Sequence, residues 1–370
     1  MSIIAAPRGI QIKIISNKEI EEAAKKSSQV SINIRDSLEA KYKNNPSYIY
    51  YGSSIKLPKV TNVISTGAIG IDMITAKASN GRWGLPFSRF VYLYGREKSG
   101  KTTIVLSIIR EIQRLGGVAF MVESEHSLDV GYAKSLGVDM GQVLFSQPSS
   151  LEDACDVIMT SCSIVEKFRK KDKDFNSPVF IVVDSISAFP TQSEIDNDFS
   201  KKPVGGHARV ISQMCRVLTE PISKLNILIL FVAQQRSKIG VVYGDNTTFI
   251  GGDALKYHAS VGYRVSRVGW IKGSNDSKVG IRSKVMVVHN KCRPPMEDAE
   301  IDIIWGKGID SIVSLYDTMT DKKLIKKKGS WNNYIDRHGK ERSWQGMEEF
   351  VEITKDQLEL NKMIELVYGS

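Results

Sequence analysis

Two periodicities organise the middle of the chain. From about Val60 to Gly306, short continuous apolar runs alternate with stretches whose apolar residues recur at helical spacing. The runs are Phe90–Tyr94, Val118–Val122, Val179–Val183 and Ile227–Ala233. A run without polar alternation suits a strand covered on both faces, as in parallel sheets. Between them, Ile104, Val105, Ile108, Ile109, Ile112 and Leu115 follow a helical period, as do Leu151, Ala154, Ile158, Cys162 and Val165. The alternation predicts an α/β fold: a mostly parallel central sheet flanked by helices on both faces.

The flanks read differently. A helix-like stretch runs from about Asn17 to Lys43, with Ile34, Leu38 and Tyr42 on one stripe, and Pro46 breaks the pattern after it. A short amphipathic helix cannot bury its stripe alone, so this segment is expected to dock on its own domain or on a neighbouring subunit. Ser260–Arg267 and Lys284–Asn290 read as antiparallel strands joined by a polar turn at 273–278. The predicted division is an N-terminal helical segment (1–60), a core (61–307) and a small C-terminal α+β domain (308–370), the last carrying DKKLIKKK at 321–328.

Composition narrows the class. Of 370 residues, 42% are hydrophobic and 25% charged, which excludes disorder, collagen and coiled coil as the dominant state. No apolar run is long enough to span a bilayer, and MSIIAAPRGIQIKII does not read as a signal peptide. The four cysteines form no CxxC pair and read as small buried hydrophobes, so a reducing cytoplasmic setting is expected. Lys plus Arg exceeds Asp plus Glu by 51 to 41, a net charge of +10. That excess suits a polyanionic partner, and equally a generally basic, soluble surface.

Gly95–Arg96–Glu97–Lys98–Ser99–Gly100–Lys101–Thr102 fits G-x-x-x-x-G-K-[ST], after a strand-like run and before an amphipathic helix. In that order, glycines let backbone N–H groups turn inward around phosphate oxygens, and the helix N-terminus adds positive potential. Lys101 would reach the β- and γ-phosphates, the Thr102 hydroxyl would ligate Mg²⁺, and Thr103 would lie near the α-phosphate. The run Val179–Val183 ends in Asp184, placed to hold Mg²⁺ directly or through water. The run Val118–Val122 ends in ESEHSLD, where Glu125 is the candidate for polarising an attacking water.

VESEHSLDVGYAKSLGVDMGQVLFSQPSSLEDA, VVDSISAF and QQRSKIGVVYGDNTTFIGGDALKYHAS, together with the phosphate loop, resemble the RecA family of bacterial and phage recombinases. The likeness runs colinearly from about Ile64 to Gly308, and more weakly into KKLIKKKGSW. It implies an ATP- and Mg²⁺-dependent, DNA-stimulated ATPase that forms helical filaments on single-stranded DNA and pairs it with homologous double-stranded DNA. It implies no membrane partner. By position, Glu125 matches the catalytic glutamate, and Gln234 the glutamine that senses the γ-phosphate and couples it to DNA. Asp129 and Tyr132 match residues lining the adenine, and Trp305 an aromatic that stacks on the base. DNA loop 1 falls at about 194–206 and loop 2 at about 236–252. Arg209, Ser212 and Arg216 match contacts to the strand backbone, and loop 2 offers Arg236, Lys238, Gly251 and Gly252. Across the subunit seam, His289 and Lys291 match cations given to the neighbour's ATP, and Tyr257 an aromatic interface position. The resemblance makes 1–60 an oligomerisation segment and 61–307 the ATPase and DNA-binding core.

The loops support this on composition, being long, glycine-rich and cationic. Arg264, Arg267, Arg282 and Lys284 are candidates for a second duplex groove or a solvated sheet face. Arg96, Lys98, Ala233 and His289 depart from the family's usual Pro, small residue, Asn and Lys. Two rivals are a hexameric helicase on the same core, which would want an arginine finger and a separate N-terminal domain, and a non-catalytic mediator, which would not need Glu125.

Overall fold

The computed structural model describes residues 60–369 apart from 126, 173–174, 197–204, 238–246, 250–251 and 274. Before them it describes only Glu22, residues 25–26, 29–34 and 36–37. The chain falls into two compact units, Met1–Pro58 and Lys59–Ser370. In the first, the described residues are helical and Val30 and Ile34 are exposed; Leu38 and Tyr42 of the predicted stripe lie outside the described residues.

The second unit is built on a sheet with nine strands among the described residues. In chain order they are β1 (Arg89–Gly95), β2 (Val118–Glu123), β3 (Val143–Ser146), β4 (Val179–Asp184), β5 (Ile227–Gln234), β6 (Val261–Lys272), β7 (Lys278–Asn290), β8 (Asp298–Ile304) and β9 (Gly308–Ile309). Their spatial order is β9-β8-β7-β6-β1-β5-β4-β2-β3. From β6 through β3 all neighbours are parallel, and β7, β8 and β9 add an antiparallel wing. The four apolar runs are the four central strands, and β4 and β5 are buried on both faces. That is why they carry no polar alternation.

Helices cover both faces. Helix α1 (Lys101–Arg114) begins at Gly100, whose φ of 100° only glycine adopts freely, and buries Ile104, Ile108, Ile109 and Ile112. Helix α2 (Leu151–Lys171) is capped by Ser150, which accepts from the Asp153 N–H at 3.0 Å. Glu152 and Asp153 in its first turn and Arg169, Lys170 and Lys171 in its last complement the helix dipole. It packs with α3 (Gly206–Lys224) and α4 (Gly252–His258) against the other face. Cys155, Cys162 and Cys215 are buried there as ordinary apolar residues. No described helix is long and apolar enough to cross a membrane.

Past β9, helix α5 (Ser311–Asp321) is capped by Asp310, and a three-stranded antiparallel sheet follows: Lys326–Lys328, Trp331–Ile335 and Glu341–Gln345. Trp344, Phe350 and Met363 fill this layer's core together with Met73 and Trp83, so the chain's last part shares its interior with residues near the start of the unit. Lys326, Lys327 and Lys328 are exposed.

Candidate nucleotide and DNA site

One edge of the sheet collects the chemistry. Parallel register sets Gly95 beside Gln234, Asp184 beside Val232 and Glu123 beside Asp184, so the carboxyl ends of β1, β5, β4 and β2 emerge together. Ligands of open α/β sheets bind at that edge.

The loop 95–102 turns from β1 into α1. A Cβ on Gly95 would lie 2.2 Å from the Val265 carbonyl oxygen and 2.9 Å from Ser99 Oγ, so the loop closes only over a glycine. Lys98 adopts φ 55°, a conformation a small flexible residue would reach more easily. Ser99 Oγ is buried and, among the described residues, has no hydrogen-bond partner; its carbonyl accepts from Ser283 Oγ at 2.8 Å. An orphaned hydroxyl inside a glycine-turned loop fits a cradle whose polar partner is a phosphate. Lys101 Nζ folds onto that loop, donating to the carbonyls of Gly95 at 3.1 Å and Arg96 at 2.9 Å. Burial lowers the Lys101 pKa, while Asp184, Glu125 and Glu97 pull it back up.

Asp184 ends β4. Burial, chiefly, and the charges of Glu125 and Glu123 raise its pKa to about 7, against the pull of Lys101. A carboxylate held at that cost, with the Lys101 charge acting on it, fits a site completed by a cation. Glu125 is exposed on the loop after β2, and Gln234 Nε2 donates to its Oε1 at 2.8 Å. Hydroxyls brace this corner. Ser187 Oγ accepts from the Gln234 N–H at 3.2 Å and shares a bond with Ser185 Oγ at 3.0 Å, and Ser124 Oγ bonds both to the Ser185 carbonyl and to its N–H.

A cavity of about 390 Å³ adjoins the loop, lined among others by Lys101, Thr102, Thr103, Tyr132, Trp270 and Trp305. Tyr132 shares a hydrogen bond with Thr103 Oγ1 at 2.8 Å. Asp129 does not line the cavity; it caps the short helix Val130–Ser135, accepting from the Tyr132 N–H at 2.9 Å.

The sequence comparisons agree with this geometry. A family model described as the RecA N-terminal domain matches residues 21–310. Protein RecA of Clostridioides difficile is 39% identical over 318 residues, 85% of this chain and 85% of that protein. Protein RecA of Gluconobacter oxydans is 38% identical over 303 residues, 81% of this chain and 83% of that protein. The chain belongs to the RecA family.

The remaining RecA-family positions are not gathered at the phosphate loop. His289 and Lys291 lie at the far end of β7, because β7 runs antiparallel and sets His289 beside Gly262, which pairs with Tyr92 rather than Gly95. His289 Nε2 donates to the Ala259 carbonyl at 3.0 Å, its ring stacks on Tyr92, and burial together with Lys291 and Lys256 lowers its pKa. Lys291 Nζ donates to the carbonyl of Tyr257, whose side chain is 80% exposed. Arg209, Ser212 and Arg216 share one face of α3, with Arg216 Nη1 bonded to Ser212 Oγ at 3.2 Å.

Of loop 1, residues 197–204 lie outside the described residues, Lys201 and Lys202 among them. Of loop 2, Lys238 and Gly251 lie outside them too. Its two ends are more ordered than composition suggested: Arg236–Ser237 pairs antiparallel with Thr247–Thr248, and Phe249 is buried against Tyr92 and Tyr94. Gly252 opens α4.

The second-groove candidates are engaged elsewhere. Arg282 makes a bidentate pair with Asp302 at 2.6 and 2.9 Å, and Lys284 pairs with Asp298 at 3.0 Å. Arg264 donates to Met286 Sδ, and Arg267 stacks on Trp270.

Sequence reading missed Glu123, Phe249, Trp270 and Ser283. Glu123 is buried, accepting from the Ser127 N–H at 2.8 Å and Gln147 Nε2 at 2.9 Å, and so fixes the loop that carries Glu125. The signal for it was available: a carboxylate directly after an apolar strand run.

Proposed function

We propose that the chain is an ATP-dependent DNA recombinase that assembles as a helical filament on single-stranded DNA, pairs it with homologous duplex and hydrolyses ATP in response to DNA. What supports this is the meeting of Lys101, Thr102, Asp184, Glu125 and Gln234 at one sheet edge, with Gln234 at 2.8 Å from Glu125. The proposed setting is the cytoplasm of a bacterium, or of a host cell for a phage-borne chain.

Phosphoryl transfer leaves a protein mainly positioning and electrostatic work. Lys101 leaves its two loop carbonyls for the β- and γ-phosphates, and backbone N–H groups of residues 96–102 hold the remaining oxygens. Thr102 and Asp184 would hold Mg²⁺, which when bound neutralises charge on the phosphate oxygens. Glu125 accepts a proton from the attacking water as the water oxygen bonds to the γ-phosphorus and the bond from that phosphorus to the bridging oxygen breaks, releasing ADP and phosphate. Gln234 leaves Glu125 to donate to the terminal phosphate, and because it ends the strand that feeds loop 2, that exchange moves the loop. Arg209, Arg216 and Arg236 take the strand's phosphates. His289 and Lys291 act on the ATP of the adjoining protomer, a role supported by their lying away from their own phosphate loop.

The test is ATP hydrolysis with and without single-stranded DNA, beside Glu125→Gln. DNA-stimulated hydrolysis that vanishes in the variant supports the reading; a rate indifferent to DNA overturns it.

A further inference from the structure

A second tryptophan stands beside the one matched to the base. Strand β6 pairs with β1 only as far as Val265 opposite Gly95, so its continuation carries Arg267 and Trp270 past the phosphate loop. A bulge between Arg267 and Gly269 breaks the strict alternation of that strand, which allows Arg267 and Trp270 to meet on one face. The Arg267 guanidinium and the Lys278 ammonium each lie 4.2 Å from the Trp270 ring centroid, so Trp270 is a cation-flanked ring. Trp270 and Trp305 pack edge to face, centroids 6.3 Å apart and planes at 75°. The backbone N–H of Trp305 donates to the Val279 carbonyl at 3.0 Å, which fixes the chain at this corner against β7.

Both indoles and Arg267 line the cavity that holds Lys101 and Thr102, with Tyr132 also on its wall. Trp270 and Trp305 nevertheless leave 41% and 51% of their surfaces uncovered. Two adjacent, half-exposed indoles beside a phosphate loop make an apolar patch of the kind that marks a ligand site. The chemistry that satisfies the whole corner is a purine nucleotide, with a flat π-surface for the indoles and an anionic sugar-phosphate for the cation.

We propose that Trp270 is a further nucleotide-binding residue, forming with Trp305 a two-indole wall against the base of ATP, with Arg267 held on its ring as a cation toward the sugar-phosphate side. This rests on the reading of the cavity as an ATP site. Neither the phosphate-loop pattern nor the family resemblance marked position 270.

The test titrates the full chain with MgADP and with inorganic tripolyphosphate by calorimetry, tryptophan quenching giving a second readout. Trp270→Ala should weaken ADP about tenfold, the cost of losing one aromatic–base contact. Trp270→Phe should keep most of the affinity, and tripolyphosphate should bind all three proteins alike. Unchanged ADP affinity in Trp270→Ala overturns the assignment, and so does equal weakening of both ligands. If the unaltered chain binds neither ligand, it is the nucleotide site itself that fails, an outcome distinct from a Trp270 that does not matter.

Discussion

The Gln234 side-chain amide donates to Glu125 Oε1 at 2.8 Å, joining the end of β5 to the loop after β2 across the mouth of the phosphate site. In the proposed mechanism both groups turn to ATP, so this bond and the ATP contacts exclude one another. The pair is then a two-state element whose equilibrium nucleotide and DNA both bias.

Removing each partner should give different phenotypes. Glu125→Gln should cut hydrolysis by about 10²–10⁴-fold, the range of a positioned general base, with ADP affinity retained. Gln234→Ala should keep DNA-independent hydrolysis and lose its stimulation by DNA. Phosphate release and ADP titration on the two variants check this; a Gln234→Ala chain still stimulated by DNA contradicts the coupling.

His289 should limit turnover. Burial and the neighbouring Lys291 and Lys256 lower its pKa below the ordinary histidine value, so at pH 7 the ring is neutral. His289→Lys places a cation there and should raise DNA-stimulated hydrolysis on the order of tenfold, less than a fully placed oxyanion donor contributes. The advantage should shrink as the pH drops below the histidine pKa, where the wild-type ring also becomes charged. Equal rates at pH 7.5 contradict the trans role.

Asp72 gives a pH signature in stability. It accepts from Ser65 Oγ and from the N–H and hydroxyl of Thr66, yet burial pushes its pKa from 3.8 to about 7. Between those values the folded chain keeps a proton that the unfolded chain has released. Its contribution is therefore complete below about pH 4 and is lost as the pH rises through 7. Urea midpoints of the wild type minus those of Asp72→Asn should decline across that window. A flat difference would mean that the three donors hold Asp72 ionised throughout.

Arg282 separates a structural role from a duplex-binding one. Its bidentate partner Asp302 is largely buried while Arg282 is 41% exposed, so Arg282→Ala should cost about 1–2 kcal/mol, discounted for solvent screening. Duplex affinity of the folded variant should stay near wild type. A selective loss of duplex binding without destabilisation would restore the groove.

The central strands were legible because burial on both faces leaves a continuous apolar run, as in Ile227–Ala233. The edge strand Val143–Ser146 was not, since Leu144 and Phe145 are exposed and four residues carry no period. The phosphate loop and Asp184 were readable because each is local: a motif, or a carboxylate ending a run. The Gln234–Glu125 bond and the Trp270–Trp305 corner join segments far apart in sequence, and only strand order brings them together. Loop 2 misled in part. Its glycines hid Phe249, a single buried aromatic that ties the loop to Tyr92 and Tyr94 on β1.

The central claim is that ATP joins like protomers into an assembly that grips a DNA strand. The direct measurement is sedimentation of the purified chain with ATP, Mg²⁺ and a single-stranded oligonucleotide, beside the same mixture without nucleotide. A fast-sedimenting species many protomers long, formed only when nucleotide is present, is the expected result. A single protomer sedimenting alone in the complete mixture would contradict it.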